Sequence, residues 1–242
     1  MFDRIDALKA KLDAMRPLKP EFLAEYQKLI DVRMTYHSNA IEGNTLTQSE
    51  TELVLEKGVT IGGKSVAEHL EVIGHREAIG FIQELATTSS HLGEHEIRQI
   101  HALVVRGNMP EEQGKYRTVN VKAAGTEHQY PDHIQIPNLM QRFVAELATG
   151  NLHPVGRAVK AHYDFVSIHP FRDGNGRTGR LLMNLLLIQS GYVPAILRVE
   201  RRTDYIDSLV HAQSNDDDLS KLTMLVCNEL ESALEEVISL AS

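Results

Sequence analysis

The 242-residue chain contains one cysteine, no tryptophan and only 5% aromatic residues. Cys227 has no second cysteine to pair with, so the sequence does not indicate a disulfide-stabilised secreted protein. The apolar stretch at residues 181–188 is far shorter than the roughly 20 residues of a membrane-spanning helix. Residues 1–6 lack the basic region and apolar core of a signal peptide. These absences predict a cytoplasmic protein with no membrane partner.

Basic residues are not in excess, because 25 Lys and Arg face 33 Asp and Glu, for a formal net charge of −8. A nucleic-acid-binding protein is usually basic on one face, so the charge argues against a nucleic-acid partner. The hydrophobic fraction of 42% and the charged fraction of 24% are ordinary for a globular protein. The length suits one large domain, or one domain with a small appendage.

Apolar residues recur at helical spacing along most of the chain, beginning with Phe2, Ile5 and Leu8. The sequences Thr47-Gln-Ser-Glu50 and Ser65-Val-Ala-Glu68 are capping boxes, which start helices. The pattern predicts an all-α protein with helices over about 2–15, 20–41, 47–58, 65–85, 94–106, 137–149, 154–168, 177–189, 203–213 and 219–240.

Residues 114–136 break this helical pattern. Tyr116-Arg-Thr-Val-Asn-Val is β-prone, Ala124-Gly125 is a turn signal, and Tyr130-Pro131 cannot lie in the middle of a helix. The segment is predicted to form a β-hairpin or extended flap. An ordinary surface loop stays open as the alternative.

The most informative stretch is Ser167-Ile-His-Pro-Phe-Arg-Asp-Gly-Asn-Gly-Arg-Thr-Gly-Arg180. His169 is a proton-transfer group near neutral pH, and Asp173 is a hard carboxylate suited to Mg²⁺. The turn Gly174-Asn175-Gly176 has no large side chain, so its backbone N–H groups can converge on an anion. It leads into a helix, whose N-terminus also favours negative charge.

Two arginines follow this turn. Arg177 and Arg180 are three residues apart, fall near one helix face and can hold further phosphate oxygens. A plain inter-helix turn would explain neither these arginines nor His169-Pro-Phe. A calcium loop lacks its closing glutamate here, and a Walker loop lacks its Gly-Lys-Ser/Thr ending. The stretch therefore predicts a polyphosphate site.

Residues 169–180 resemble the signature of the Fic family, HPFx[D/E]GNGRxxR, at every fixed position. Upstream, Ser38-Asn-Ala-Ile-Glu-Gly43 resembles the family's inhibitory helix, [S/T]xxxE[G/N]. The resemblance covers roughly residues 25–230. It implies a Fic-type helical bundle with a small β-hairpin flap beside the active site. The implied organisation is an N-terminal helix at 1–24 and a catalytic domain at 25–242, with an inhibitory helix at about 25–43 and the flap at about 114–136.

The resemblance also implies a protein adenylyltransferase that moves AMP from ATP to a Ser, Thr or Tyr hydroxyl of a target protein, and modifies itself. His169 would be the base, and Asp173 would hold Mg²⁺. The remaining residues would bind ATP: Gly174, Asn175 and Gly176 its α- and β-phosphates, Arg177 and Arg180 the outer ones, with Tyr205 near the adenine. Many relatives have an adenine-contacting Asn where this chain has Gln213, which leaves the base preference open.

Regulation and target binding are likewise implied by the resemblance. Glu42 would pair with Arg180 and occupy the γ-phosphate site, and Ser38 would brace the helix that carries it. The expectation is autoinhibition. Val121 and Lys122 would lie on the flap that holds the target in register by strand pairing.

Three alternatives stay open. The protein could remove AMP from targets using Glu42, or transfer another nucleotide or a phosphocholine moiety. It could also be a non-catalytic, nucleotide-gated adaptor, although intact His169, Asp173, Asn175 and Arg180 argue against that. The sequence predicts neither the target protein nor the oligomeric state. A homo-oligomer stays open.

Overall fold

The computed structural model describes residues 2–88, 92–107, 109–122, 128–147 and 151–241. Over these ranges the chain forms ten α-helices: α1 (Asp3–Ala14), α2 (Pro20–Ile41), α3 (Gln48–Lys57), α4 (Val66–Thr87), α5 (Glu94–Val104), α6 (Ile136–Leu147), α7 (Pro154–Ile168), α8 (Asn175–Gln189), α9 (Arg202–Ser214) and α10 (Ser220–Ala241). Short 3₁₀ turns lie at Pro110–Glu112, His133–Gln135 and Val199–Arg201. The predicted all-α architecture is confirmed.

Local chemistry explains several helix ends. The Thr47 side chain accepts from the Glu50 N–H at 3.2 Å, and the Glu50 carboxylate accepts from the Thr47 N–H at 2.8 Å. Ser65 and Glu68 form the same reciprocal box at the start of α4. At the end of α3, Gly58 adopts a left-handed conformation with φ +63°. Because these bonds join residues three apart, short sequence patterns suffice to predict them.

Helix α8 lies at the centre of the bundle, packed against α7, α4, α5 and α2. Nearly all its side chains from Asn175 to Leu187 are buried. The N-terminus of α8 therefore has little freedom to move, which suits a site that must hold a ligand in one geometry.

The first helix, α1, packs on α10, and its Ile5 and Leu12 belong to the main core. The domain division at residue 24 stays a prediction.

None of the described helices is long and apolar enough to cross a membrane.

The predicted β-hairpin is not found in the described parts of 114–136, which are residues 114–122 and 128–136. Side chains, rather than a ladder of backbone hydrogen bonds, connect residues 114–122 to residues 128–136. Arg117 Nη2 donates to the Pro131 carbonyl, and the Asn120 side-chain oxygen accepts the His133 N–H at 2.9 Å. The backbone N–H of Arg117 donates to the Pro170 carbonyl at 2.9 Å, and Pro170 lies outside the segment. With these groups committed elsewhere, regular strand pairing does not form.

Candidate active site

His169 caps the C-terminal end of α7 in a left-handed conformation, with φ +51°. Its Nδ1 lies 3.3 Å from the Val166 carbonyl. A carbonyl only accepts, so Nδ1 carries the proton and the Nε2 lone pair is left to take another. Burial, more than the nearby Arg117 charge, lowers the pKa of His169 to about 4. The ring is therefore neutral at pH 7 and competent as a base.

The loop after His169 is held rigidly from within. The Asn175 side chain bonds both backbone groups of Phe171, accepting its N–H at 3.0 Å and donating to its carbonyl at 2.9 Å. Phe171 is fully buried and stacks on His101, with ring centroids 3.6 Å apart. Because its side chain is committed to the loop, Asn175 has its backbone N–H left for a ligand.

His101 is a functional residue that the sequence did not reveal. Its Nδ1 accepts the Gly114 N–H at 3.1 Å, so its Nε2–H donates to the Asp173 carbonyl at 3.0 Å. Burial lowers its pKa to about 4, which keeps the ring neutral. His101 therefore ties the start of the flap segment to the motif loop. A lone histidine in α5 carries no sequence signal for such a role.

The start of α8 presents free backbone donors. Gly174 is the N-cap with φ +74°, and the first helical bond runs from the Thr178 N–H to the Gly174 carbonyl at 2.9 Å. The N–H groups of Asn175, Gly176 and Arg177 precede that bond and have no carbonyl within the helix to pair with. Together with the helix dipole they form an anion site, as the glycine turn predicts.

Arg177 is buried between two carboxylates. It lies 3.3 Å from Asp173 Oδ2 and 3.2 Å from Glu71 Oε1. Glu71, on α4, also accepts from the Asn44 side chain at 2.9 Å. The structure thus places the guanidinium in a network that supports the loop, and Glu71 was not anticipated from the sequence.

Arg180 brings the predicted inhibitory residues together. Its Nη2 donates to the Glu42 carboxylate at 2.8 Å and to the Ser38 carbonyl at 2.8 Å, and its Nε donates to the Ser38 hydroxyl at 3.1 Å. The Glu42 carboxylate also lies over the first turn of α8, because a Cβ added at Gly176 would collide with it. An acidic side chain therefore lies where the helix N-terminus favours an anion.

Tyr205 lies behind Arg180. Its hydroxyl is 2.9 Å from His162 Nε2 and 3.5 Å from Arg180 Nη1, and the side chain is almost fully buried. It borders the cavity of the site, but its polar atom faces the arginine and His162. The predicted adenine contact would have to come from the ring.

A cavity of about 300 Å³ opens between the motif and α9. Its polar lining includes His169, Asp173 and the turn 174–176 together with Glu42. Its apolar lining comes mainly from α9, through Ile206, Leu209 and Val210, with Gln213 on the same helix. This division suits a ligand with an anionic part and a flat, less polar part.

Two more residues border the cavity, and a third holds the His169 backbone. Tyr130 lies against the His169 ring at 4.3 Å, and Arg202 borders the cavity while its Nε donates to the Ile41 carbonyl at 2.7 Å. Arg117 is 2% exposed and donates from Nε to the His169 carbonyl at 2.8 Å. All three are distant from the motif in sequence. Of the predicted flap residues, Val121 is half-buried and Lys122 is exposed, and neither lines the cavity.

Metal binding has one candidate ligand at this site. Within the described ranges, no group of three or more His, Cys, Asp or Glu side chains is arranged to hold a metal ion. Asp173 borders the cavity with its side chain 47% exposed; Oδ2 lies 3.3 Å from Arg177, and Oδ1 accepts the Gly174 N–H at 2.6 Å. A cation here would need most of its ligands from the bound molecule or from water. Mg²⁺ at phosphate sites is usually bound in this way.

The fold and the site together define a helical protein in which the glycine turn at the start of the central helix shares one cavity with a neutral histidine. The family model described as Fic/DOC family matches residues 91–187. Fic-1 from Caenorhabditis elegans superposes with a TM-score of 0.85 and 32% identity, over 98% of this chain and 71% of that one. The chain belongs to the Fic/DOC family.

Two further relatives extend this comparison. A Fic-domain-containing signaling protein from Bacteroides thetaiotaomicron superposes with a TM-score of 0.86 and 29% identity, covering 99% of this chain and 95% of that chain. The protein adenylyltransferase Fic of Nematostella vectensis is 38% identical over 224 residues, which are 89% of this chain and 51% of that protein. The chain thus spans about half the length of this curated relative.

Proposed function

We propose that the chain is an autoinhibited protein adenylyltransferase, which transfers AMP from ATP to a Ser, Thr or Tyr hydroxyl of a target protein and of itself. The observation that carries the proposal is the neutral His169, which carries its proton on Nδ1 and lines the same cavity as the turn 174–176 at the start of α8. The names of the curated relatives, protein adenylyltransferase Fic and fic-1, support the activity.

In the proposed reaction, a hydroxyl oxygen of the target attacks the α-phosphorus of ATP. His169 Nε2 takes the hydroxyl proton as the new P–O bond forms. The bond from the α-phosphorus to the oxygen that bridges to the β-phosphorus breaks, and pyrophosphate leaves. His169 then returns its proton to solvent. The low pKa of the buried ring means that it enters the reaction neutral.

ATP would bind against both the polar and the apolar lining of the cavity. The N–H groups of Asn175 and Gly176 hold the α- and β-phosphates, and Arg180 takes the outer phosphate once it leaves Glu42. Arg177 steadies the loop through Asp173 and adds positive charge nearby. The base lies against the apolar wall of α9, with Tyr205 behind it and Gln213 as a hydrogen-bonding group.

Magnesium fits the donor set, since Asp173 offers a partly exposed carboxylate toward the cavity. When bound, the ion would neutralise charge that develops on the departing pyrophosphate. Val121 and Lys122 remain the proposed contacts to the target, because they lie on the segment that Arg117 ties to the catalytic histidine.

Autoinhibition follows from the contact between Glu42 and Arg180. With the carboxylate over Gly176, an outer phosphate would face a like charge and lose its arginine. ATP would then bind with its α-phosphate misplaced for attack, and catalysis by positioning is sensitive to such a shift.

The test is auto-modification with Mg²⁺ and ATP labelled at the α-phosphate, in the wild type, Glu42→Gly and Glu42→Gly/His169→Ala. We expect label in Glu42→Gly to exceed wild type by about a hundredfold, and the double variant to lose it. The matched control is Glu21→Gly, which removes an exposed glutamate from the first turn of the same helix. Equal labelling of Glu42→Gly and wild type would refute the inhibitory role of Glu42.

AMP removal is a second candidate, favoured by the position of the Glu42 carboxylate inside the cavity, where it could orient a water molecule. Labelled Glu42→Gly protein, freed of ATP, would be the substrate. Release of labelled AMP by wild type but not by added Glu42→Gly would establish removal. If no variant takes up label from ATP, the same variants should be tested with other nucleotides and with phosphocholine donors.

A further inference from the structure

A second cavity lies on another face of α2. Its volume is about 390 Å³, and it shares no residue with the nucleotide cavity. The side chains around it come from three places: Arg33 and His37 on α2, Glu229 and Glu236 on α10, and Arg198 before α9. A volume of this size falls in the range of about 300–1,000 Å³ that small-molecule sites occupy.

Two ion pairs bridge the cavity wall and leave donors to spare. Arg33 Nη1 contacts both oxygens of Glu236 at 2.8 Å, and Arg198 Nε contacts Glu229 at 2.8 Å. Each of these pairs uses one guanidinium nitrogen, while the fork of an arginine has five N–H donors. Each carboxylate oxygen likewise keeps lone pairs for a further donor. The wall therefore offers both signs of charge.

The rest of the cavity adds one donor and an apolar surface. His37 Nδ1 accepts the Val199 N–H at 3.3 Å, so its proton is on Nε2. Ile30, Ile196 and Ala233 supply the apolar part. A ligand that uses all of these features has a carboxylate for the guanidinium groups, an ammonium for Glu229 and Glu236, and a small apolar portion.

We infer that this cavity binds a free α-amino acid and that the bound amino acid shifts the contact between Glu42 and Arg180. The second half of the inference rests on the proposed autoinhibition, and the first half does not. The link is α2, because His37 precedes Ser38, whose hydroxyl and carbonyl both hold Arg180. A ligand that binds His37 contacts the same turn of α2 as Ser38, and Arg33 lies about one turn earlier.

The packing behind Arg180 allows such a shift. A small cavity of about 20 Å³, room for about one water molecule, is bordered by Ser38, His75 and Arg180. Ile196 lines this cavity and the larger one. Both ring nitrogens of the buried His75, and the buried Thr35 hydroxyl on α2, have no hydrogen-bond partner among the described residues. At these atoms, hydrogen bonds between described residues do not tie α2 to α4.

The first experiment measures binding and needs no activity. Each of the standard amino acids is titrated by calorimetry into the full chain, up to about 10 mM. We expect at least one to bind, and its affinity to fall about tenfold or more in Arg33→Met and in Arg198→Met. Arg4→Met is the matched control, since Arg4 pairs with Glu231 and Glu235 of α10 away from the cavity. Thermal melting of each variant shows that it is folded.

Failure of every amino acid to bind wild type would overturn the site, as would undiminished binding in both cavity variants. The regulatory half has its own readout, because coupling between two sites is reciprocal. Glu42→Gly, which removes the contact with Arg180, is expected to change the affinity for the amino acid, whereas Glu21→Gly is not. Equal affinity in wild type and Glu42→Gly would overturn the coupling. Absence of label from Glu42→Gly would instead count against adenylyl transfer and leave the binding result intact.

Discussion

Arg117 is a residue that holds the backbone of His169, the proposed catalytic base. Its guanidinium donates to the carbonyls of His169, Val119 and Pro131, and its backbone N–H donates to Pro170. Burial lowers the pKa of this arginine, and the partners that hold it are mainly carbonyl oxygens. One side chain therefore joins the His169 carbonyl to two parts of the 114–136 segment.

We predict that Arg117→Lys, made in the Glu42→Gly background, lowers kcat for auto-modification by about ten- to a hundredfold and leaves KM for ATP nearly unchanged. A lysine ammonium cannot reach three carbonyls in the planar pattern of an arginine, and small displacements of a catalytic base are costly. Arg106→Lys is the control, since Arg106 is exposed, pairs with Glu77 and does not border the cavity. A rise in KM with unchanged kcat would contradict the assignment.

At the scale of elements, the junction between α7 and α8 concentrates backbone strain at the site. His169 and Gly174 both have positive φ, within the six residues that connect the two helices. A Cβ at Gly174 would lie 2.7 Å from Val105 and 3.2 Å from Val104 on the neighbouring segment. Only glycine allows the motif loop to turn and approach α5 this closely.

Gly174→Ala is expected to lower the free energy of unfolding by about 2–4 kcal/mol, from the left-handed backbone and from overpacking. Gly63→Ala is the matched control, because Gly63 has φ +81° but a Cβ added there would meet no atom within 4 Å. That variant should lose only the backbone part, about 1–2 kcal/mol. Urea unfolding of both proteins measures the difference, and equal losses would show that the contact with Val105 costs nothing.

At the scale of the whole molecule, burial of neutral histidines sets the pH dependence of stability. Burial lowers the pKa of His75 to about 3, and of His101, His162 and His169 to about 4, from the usual 6.5. Between the folded and unfolded pKa values the unfolded chain binds more protons. Stability contributed by these rings is therefore complete above about pH 6.5 and is lost as the pH falls toward 4.

We predict that the free energy of unfolding decreases from pH 7 to pH 5, with a slope of up to about 1.4 kcal/mol per pH unit for each buried histidine. Burial raises the pKa of Asp31, Asp164 and Glu229, which opposes the trend at the acidic end. Urea unfolding at several pH values measures the slope. His162→Gln should lower this slope by the contribution of one buried histidine. A slope that does not change in that variant would contradict the argument.

The helices, their caps and the motif loop are determined by the sequence itself, because the interactions that define them join residues close along the chain. Each capping box joins residues three apart, and the glycine turn and His169 lie within one short stretch. The contact between Glu42 and Arg180 is different, since the two residues are 138 positions apart in the sequence. It was predicted only because both of its partners belong to recognisable motifs.

The tertiary structure alone decided the contacts that no motif marks. Arg117 meets His169 across 52 residues, and His101 meets Asp173 across 72, because packing of the helices brings them together. The β-hairpin prediction was wrong in the described residues for a related reason. Strand propensity describes a local preference, but the backbone groups of 114–136 found distant side chains and the motif loop as partners. Choices among distant partners depend on the whole packed core, and a local pattern does not contain that information.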